Sequence, residues 1–407
     1  MARRRRLGGA LALVAACGLA AASPAVAGQR APGMKPALTS DEGGLWGVAE
    51  RLEQEEAASG ERNRDPALEA YISGVACKVA AEYCPEVRVY VMDRPFFNAA
   101  MAPNGFTEVW SGLLLRVSNE AELAFALGHE VSHYAENHSI ESMRAHRNRS
   151  NAVFALSVGI AVLGAASAAG SANPTPTLDA TRGLIDAVQL GAIAAFFQFS
   201  REHEMEADRL SIARTAQAGF DPRAGVTVWE NLMAETAESD FERVRRSGAS
   251  TNIFDSHPMG KDRIAAIKAE LKKTPSGELA RERYRAAIRP HLSRWLKDEL
   301  RRRDYGETLH LIDRLAKDGD DLGVLNFYKA EAYRLRRKDG DTDRAREAYL
   351  VAAAHDDAPP QVWRELGEAR RKSNDPAGAK AAFESYLAKV PEAEDAWLVQ
   401  DTLKTLK

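Results

Sequence analysis

The sequence predicts a mostly helical α+β fold followed by an all-α solenoid of helical repeats. Apolar residues recur at helical spacing along most of the chain, whereas residues 87–110 alternate in polarity and contain turn residues, as a small β-sheet does. Residues 276–407 carry signatures of paired repeat helices. With 407 residues, 45% of them hydrophobic and 28% charged, the chain is long enough for several domains with a substantial core.

Residues 1–27 have the pattern of a secretory signal peptide. Arginines at positions 3–6 precede an apolar run, and an Ala-x-Ala cleavage site ends at Ala27. A lipoprotein anchored at Cys17 is the alternative, because residues 14–17 also resemble a lipobox. Cleavage at Ala27 removes four arginines and no acidic residue, so the formal net charge changes from −3 to −7. We therefore expect an exported protein that does not bind nucleic acid.

Two helices and three short strands are predicted next. Helical periodicity covers residues 45–58 and 65–81, and strand-like runs follow at 87–91, 97–101 and 106–110. We expect the strands to form a small sheet over the helix that comes after them.

Two cysteines remain once the signal peptide is removed. These are Cys77 and Cys84. An even number of cysteines in a protein exported to an oxidising compartment favours a disulfide between them. Two buried thiols are the alternative.

Residues 118–138 carry the strongest functional signal, an H-E-x-x-H motif on a predicted helix. His129 and His133 lie four residues apart and project from one helical face, where two imidazole nitrogens can bind one Zn²⁺. Glu130 is rotated by about 100° from that face, so it would lie beside the metal and act as a general base on water.

A second predicted helix, residues 200–222, supplies a third ligand. Glu204 and Asp208 lie four residues apart, so the first can bind zinc while the second accepts a hydrogen bond from a ligating histidine. The alternative is an ordinary acidic helix with Arg201 and Arg209 as salt-bridge partners.

These motifs resemble a known family. HEVSH at 129–133 and E-x-x-A-D at 204–208 are similar to the gluzincin metallopeptidase family that contains the CAAX prenyl protease, HtpX and BepA. The segment 98–114 before the zinc helix and S-H-P-M-G-K-D-R-I at 256–264 also look like elements of that family. The resemblance covers about residues 40–275.

The resemblance implies a gluzincin-type zinc metalloendopeptidase domain at residues 28–275, with one Zn²⁺ per chain. It implies that His129, His133 and Glu204 bind the zinc, that Glu130 is the catalytic base and that Asp208 supports a ligand. In such enzymes an edge strand binds the substrate, which suits unfolded or extended polypeptide. BepA-like members further imply a periplasmic role in assembly or quality control of outer-membrane proteins.

A metzincin is excluded by the residues. That class requires Gly at position 136 and His at 139, where this chain has Glu136 and Ser139. His138 is one residue early, and we expect it to be a surface histidine at the helix end.

Two apolar stretches, 152–170 and 184–199, follow the zinc helix. The first has no charge and is long enough to span a bilayer, but both are rich in Ala, Gly and Ser. We favour a helical hairpin packed on, or lying across, the active-site cleft. Membrane insertion, peripheral membrane association and disorder are the alternatives.

His257 is a further candidate for a catalytic role. Pro258 fixes a turn that could aim the imidazole at the zinc, where it would inhibit as a fourth ligand; swung away, it could donate a hydrogen bond to the oxyanion. The alternative is a helix N-cap region without catalytic function. Arg263 is a candidate for transition-state stabilisation or for a structural ion pair at the surface.

Residues 276–407 are predicted to form a tetratricopeptide-repeat-like domain. The pattern W-x2-L-G, A-x3-F and a closing Pro is matched by Trp363, Leu366, Gly367, Ala379, Phe383 and Pro391. Residues 327–359 resemble a preceding repeat, and 295–315 a more degenerate one. Such a domain would bind a partner, for which the outer-membrane assembly machinery is the candidate, or cap the protease.

The sequence is also compatible with two other functions. The repeats could make the protein chiefly a chaperone or assembly adaptor with a latent metal site. A membrane-embedded protease is the other alternative.

Overall fold

The computed structural model describes residues 29–145, 199–247 and 261–406. Over these residues the chain is mostly helical and contains one three-stranded sheet, which confirms the predicted α+β class. The expected signal peptide with Cys17, the apolar stretches up to residue 198, and His257 lie outside the described residues. Within the three described ranges, no helix combines the length and the apolarity needed to cross a bilayer.

The first described range contains the sheet and the helix with the H-E-x-x-H motif. Its elements are α1 (Asp41–Ala58), α2 (Pro66–Ala80), a 3-10 turn (Ala81–Glu86), β1 (Arg88–Met92), β2 (Ala99–Met101), β3 (Phe106–Trp110), α3 (Ser111–Arg116), α4 (Glu120–Ala135) and α5 (His138–Ala145).

The other two ranges are helical. Residues 199–247 contain α6 (Arg201–Gln217), α7 (Ala224–Ala237) and α8 (Glu242–Ser247). Residues 261–406 contain α9 (Lys261–Leu271), α10 (Arg281–Ile288), α11 (Leu292–Arg301), α12 (Tyr305–Leu315), α13 (Leu322–Arg336), α14 (Asp341–Ala353), α15 (Gln361–Lys372), α16 (Pro376–Lys389) and α17 (Ala396–Thr405), with 3-10 turns at Arg289–His291 and Ala316–Asp318.

Helix α2 begins where the sequence supplies a cap. The side chain of Asp65 accepts the backbone N–H of Ala67 at 2.8 Å, and Pro66 occupies the first helical turn, where no N–H is needed. The helix buries an apolar stripe of Leu68, Ile72, Val75 and Val79. The predicted disulfide is confirmed: it joins Cys77 of α2 to Cys84 of the following turn.

The sheet has the strand order β1-β3-β2, so β1 and β2 form its two edges. Strand β1 is parallel to β3, and β2 is antiparallel to β3 with Ala100 opposite Glu108. The turn between β2 and β3 requires Gly105, which has φ +87° and would place a Cβ 2.2 Å from the carbonyl oxygen of Glu86. Strand β2 packs against α4, which brings one sheet edge beside the H-E-x-x-H helix.

Helix α4 lies in the centre of the fold. Every residue of it except Ala126 is buried, and it packs against α2, α6, α7 and β2. The side chain of Asn119 caps it by accepting the backbone N–H of Glu122 at 2.9 Å. The Glu122 carboxylate in turn accepts the backbone N–H of Ser118 at 2.7 Å. The side chains of Asn119 and Glu122 thus accept two backbone N–H groups at the start of α4, those of Glu122 and Ser118.

The C-terminal helices continue the same core before forming a smaller one. One hydrophobic cluster runs from α2 and α4 through α11 to α15 and reaches Ala382 of α16, and a second connects α16 and α17 through Ala379, Phe383, Tyr386 and Val399. Helix α13 packs on α14, and α15 packs on α16. Paired helices agree with a repeat architecture. Assignment to the tetratricopeptide class and a domain boundary at residue 275 stay predictions.

A buried charge network connects α3 to the helices beyond residue 276. The guanidinium of Arg116, 3% exposed, lies 2.6 Å from the carboxylate of Glu235 on α7 and 2.9 Å from that of Glu299 on α11. Arg302 pairs with the same Glu299 and with Glu307 at 2.7 Å. Because these charges are removed from water, each depends on its partners.

We expect Arg116→Met to lower the free energy of unfolding by about 3–5 kcal/mol, because two buried carboxylates lose their shared cation. Urea denaturation followed by circular dichroism measures the change. Arg371→Met is the matched control, since Arg371 pairs with Glu368 at the surface and should change stability by about 0–1 kcal/mol. Equal losses in the two variants would contradict a stabilising role for the buried network.

Candidate metal centre

Helices α4 and α6 bring the three predicted ligands together. Nε2 of His129 lies 3.0 Å from Nε2 of His133, because the two residues are one helical turn apart on the same face. The Glu204 carboxylate faces both rings, with Oε2 3.4 Å from His129 and Oε1 3.4 Å from His133. Ser200 caps α6 by accepting the backbone N–H of His203, which fixes the start of this helix.

The donor set fits a zinc ion. One ligand atom from each of His129, His133 and Glu204 lies within 4.8 Å of the other two, and all three residues are buried. Two imidazole nitrogens and one carboxylate oxygen are the combination found in hydrolytic zinc sites that keep a further position for substrate or water. The geometry supports the predicted ligands.

Asp208 and Arg263 contact the side chains of the predicted ligands. Oδ1 of Asp208 lies 3.1 Å from Nδ1 of His129, so the carboxylate holds that ring with Nε2 directed at the ligand group. Arg263 donates two hydrogen bonds to Asp208, at 2.7 and 2.8 Å, and its third nitrogen lies 2.6 Å from Oε2 of Glu204. Arg263 is only 2% exposed, so its expected alternative as a surface salt-bridge residue is wrong.

The charged neighbours shift the pKa values of His129 and Asp208. Burial alone would lower the pKa of His129, but its hydrogen bonds to Asp208 and Glu204 outweigh burial and raise the pKa to about 10. Burial raises the pKa of Asp208, but hydrogen bonds from Arg263 and His129 outweigh burial and hold it below its usual value. The two carboxylates thus favour a cation close to His129, whether it is a proton or a metal ion.

Glu130 lines an apolar pocket beside the ligands. The pocket is bounded by Glu130 and His129 of α4, by β2 and its preceding loop, and by α3 and α7. Its other lining residues are Phe97, Asn98, Ala99, Leu113, Phe125, Ala126, Val228 and Trp229. Glu130 therefore lies at the wall of this cavity, next to the ligand His129. Sequence reasoning missed the α7 wall because no local motif marks Val228 or Trp229.

His138 is not the surface histidine that the sequence indicated. It is 1% exposed, and its Nδ1 lies 2.8 Å from Nδ1 of the ligand candidate His133. Burial, followed by the neighbouring ring of His203, lowers the pKa of His138 to about 3. Its place after the motif was visible in the sequence, but the direction of its side chain depends on Asn137, which lies between α4 and α5 and adopts φ +56°.

Comparison with known proteins adds an independent finding. The family model described as Peptidase family M48 matches residues 62–271, which include His129, Glu204 and Arg263. A putative beta-barrel assembly-enhancing protease of Vibrio cholerae is 29% identical over 220 residues, covering 53% of this chain and 42% of that protein.

Two further relatives are similar over a comparable part of the chain. The beta-barrel assembly-enhancing protease of Escherichia coli K12 is 28% identical over 207 residues, 49% of this chain and 38% of that protein. The mitochondrial metalloendopeptidase OMA1 of Schizosaccharomyces pombe is 31% identical over 194 residues, 48% of each chain. All three alignments cover less than half of the relative's own length.

Zinc should raise the unfolding temperature of the wild-type protein, because an ion that binds only the folded state stabilises it by about 2.7 kcal/mol at a hundred times its dissociation constant. We expect Glu204→Gln to lose most of this shift. Glu202→Gln is the control, since Glu202 is exposed in the first turn of the same helix. Thermal unfolding with zinc and after chelation measures the shift, and an undiminished shift in Glu204→Gln would remove Glu204 from the ligand set.

Proposed function

The chain belongs to peptidase family M48, and from that membership we propose that it is a zinc-dependent metalloendopeptidase acting on exported polypeptides. The single observation that carries this proposal is the convergence of His129, His133 and Glu204 beside Glu130 at the wall of a pocket. A structural zinc site has four protein ligands and no cavity of this kind, whereas a hydrolytic site keeps one position open.

The chain's own residues account for the steps of peptide hydrolysis. Zinc, when bound by His129, His133 and Glu204, supplies Lewis-acid chemistry that polarises the peptide carbonyl and makes water a better nucleophile near neutral pH. Glu130 takes a proton from the attacking water and passes it to the leaving amine. Asp208 holds the ring of His129, and Arg263 neutralises Asp208 and Glu204.

The sheet edge beside the pocket is suited to extended substrates. Because Ala100 and Glu108 are a hydrogen-bonded pair in the β2–β3 register, the backbone groups of Ala99 and Met101 point away from β3. We propose that a polypeptide adds to this edge as a further strand, with one side chain in the apolar pocket. Segments of unfolded proteins offer both the free backbone and the apolar side chains.

The physiological role proposed is quality control of outer-membrane proteins in the periplasm. It is supported by two relatives named beta-barrel assembly-enhancing proteases, and by the secretory signal pattern at residues 1–27. The helices after residue 275 form the proposed tetratricopeptide-like docking domain. Trp397 and Leu398 on α17 are 68% and 53% exposed, a pattern that supports contact with a partner.

We expect Glu130→Gln to lower the cleavage of unfolded outer-membrane protein or casein by about a hundredfold to ten-thousandfold, because the amide cannot accept the proton from water. Zinc content should stay unchanged. Glu136→Gln, the same substitution just after the C-terminal end of α4, should cleave normally. Full cleavage by Glu130→Gln would contradict the proposed mechanism. If Glu130→Gln loses cleavage but still supports the assembly of outer-membrane proteins, the chaperone or adaptor alternative is favoured.

Filling the pocket should change which bonds are cut. Ala126 lies one turn before the motif and lines the cavity, so Ala126→Phe should reduce cleavage next to bulky apolar residues more than next to small ones. Ala126→Ser nearly preserves the volume and serves as the control. Mass spectrometry of a peptide-library digest gives the two preferences. Identical cleavage profiles for Phe and Ala at position 126 would show that this cavity does not receive the substrate.

A further inference from the structure

We infer that His138 is a positioning residue for the metal centre, which holds His133 through a bond between two imidazole rings. The inference rests on the proposed function only in taking His133 as a zinc ligand. The two histidine ligands then have different partners. The carboxylate of Asp208 contacts Nδ1 of His129, and the neutral ring of His138 contacts Nδ1 of His133.

The geometry fixes which nitrogen carries which proton. Nε2 of His133 faces His129 and Glu204, so this nitrogen must present its lone pair when a metal is bound. The proton of the His133 ring is then on Nδ1. Since Nδ1 of His138 lies 2.8 Å away, His133 donates and His138 accepts.

The other side of the His138 ring has its own partners. With Nδ1 accepting, the proton of His138 is on Nε2, which lies 3.5 Å from the half-exposed carboxylate of Glu206. The ring of His203 stacks on His138 at 4.3 Å and 11°, and His203 lies 3.0 Å from Glu141. These contacts keep the plane of His138 in the orientation that its bond to His133 requires.

A neutral acceptor suits this position because the site already holds several charges. Arg263 divides its charge between Asp208 and Glu204. A carboxylate in place of His138 would be a further buried anion next to His133, and burying a charge without a cation is unfavourable. An imidazole accepts the same proton without adding charge, so it orients the ligand at lower electrostatic penalty.

The test is the zinc dissociation constant of the full chain, measured by competition with a chromophoric chelator. We expect His138→Leu to weaken zinc binding by about 10–100-fold, the usual effect of losing a partner behind a metal ligand. His138→Asn places a polar atom near the former Nδ1 and should recover most of the affinity. His310→Leu on α12 is the control and should leave zinc binding unchanged.

Equal zinc affinity in His138→Leu and wild type would overturn the inference, as would a loss in His138→Asn as large as in His138→Leu. The measurement does not depend on proteolysis. Wild-type protein that binds zinc but cleaves nothing would contradict the proposed function, and the comparison at position 138 would still decide this inference.

A second measurement uses only the wild-type protein, so it does not depend on whether a variant folds. In zinc-loaded wild-type protein with isotope-labelled histidine, magnetic resonance should detect scalar coupling from the Nδ1 proton of His133 to Nδ1 of His138 across the hydrogen bond. A proton found on Nε2 of His133, or the absence of that coupling, would overturn the assignment.

Discussion

The contact between α4 and α6 is the constraint on which the metal centre depends. Gly128 allows the two helices to approach so closely that a Cβ there would lie 3.0 Å from Oγ of Ser211. That hydroxyl donates to the backbone carbonyl of Phe125 at 2.6 Å, which fixes the position of one helix along the other. With this register set, His129 and His133 face the acidic side of α6. A weak helix former in the middle of α4 is therefore explained by packing.

Charge balance is the second condition for the site. Glu204 and Asp208 are buried on adjacent turns of α6, an arrangement that is unfavourable without cations. Arg263 reaches them from α9, and the pKa of Asp208 is accordingly held below its usual value despite burial. Since α9 lies far from α6 in sequence, tertiary packing supplies this cation. The ligand geometry thus depends on three separate segments of the chain.

Much of this centre could be predicted from the sequence, because its main signals are periodic. The H-E-x-x-H spacing and the four-residue step from Glu204 to Asp208 depend only on helix geometry, and the structure brings these residues together. His138 was misjudged because the direction of its side chain depends on the left-handed backbone conformation of Asn137. The pocket wall on α7 and the ion pairs of Arg116 also escaped prediction, because they depend on how distant helices pack.

The central claim is that His129, His133 and Glu204 hold a hydrolytic zinc ion. The most direct measurement is anomalous diffraction at the zinc absorption edge from crystals of the zinc-loaded protein. The account predicts one strong peak between α4 and α6, about 2.0–2.2 Å from Nε2 of each histidine and from a Glu204 oxygen, with the apolar pocket beside it. A zinc peak elsewhere, or one at this position that lacks any of these three ligands, would contradict it.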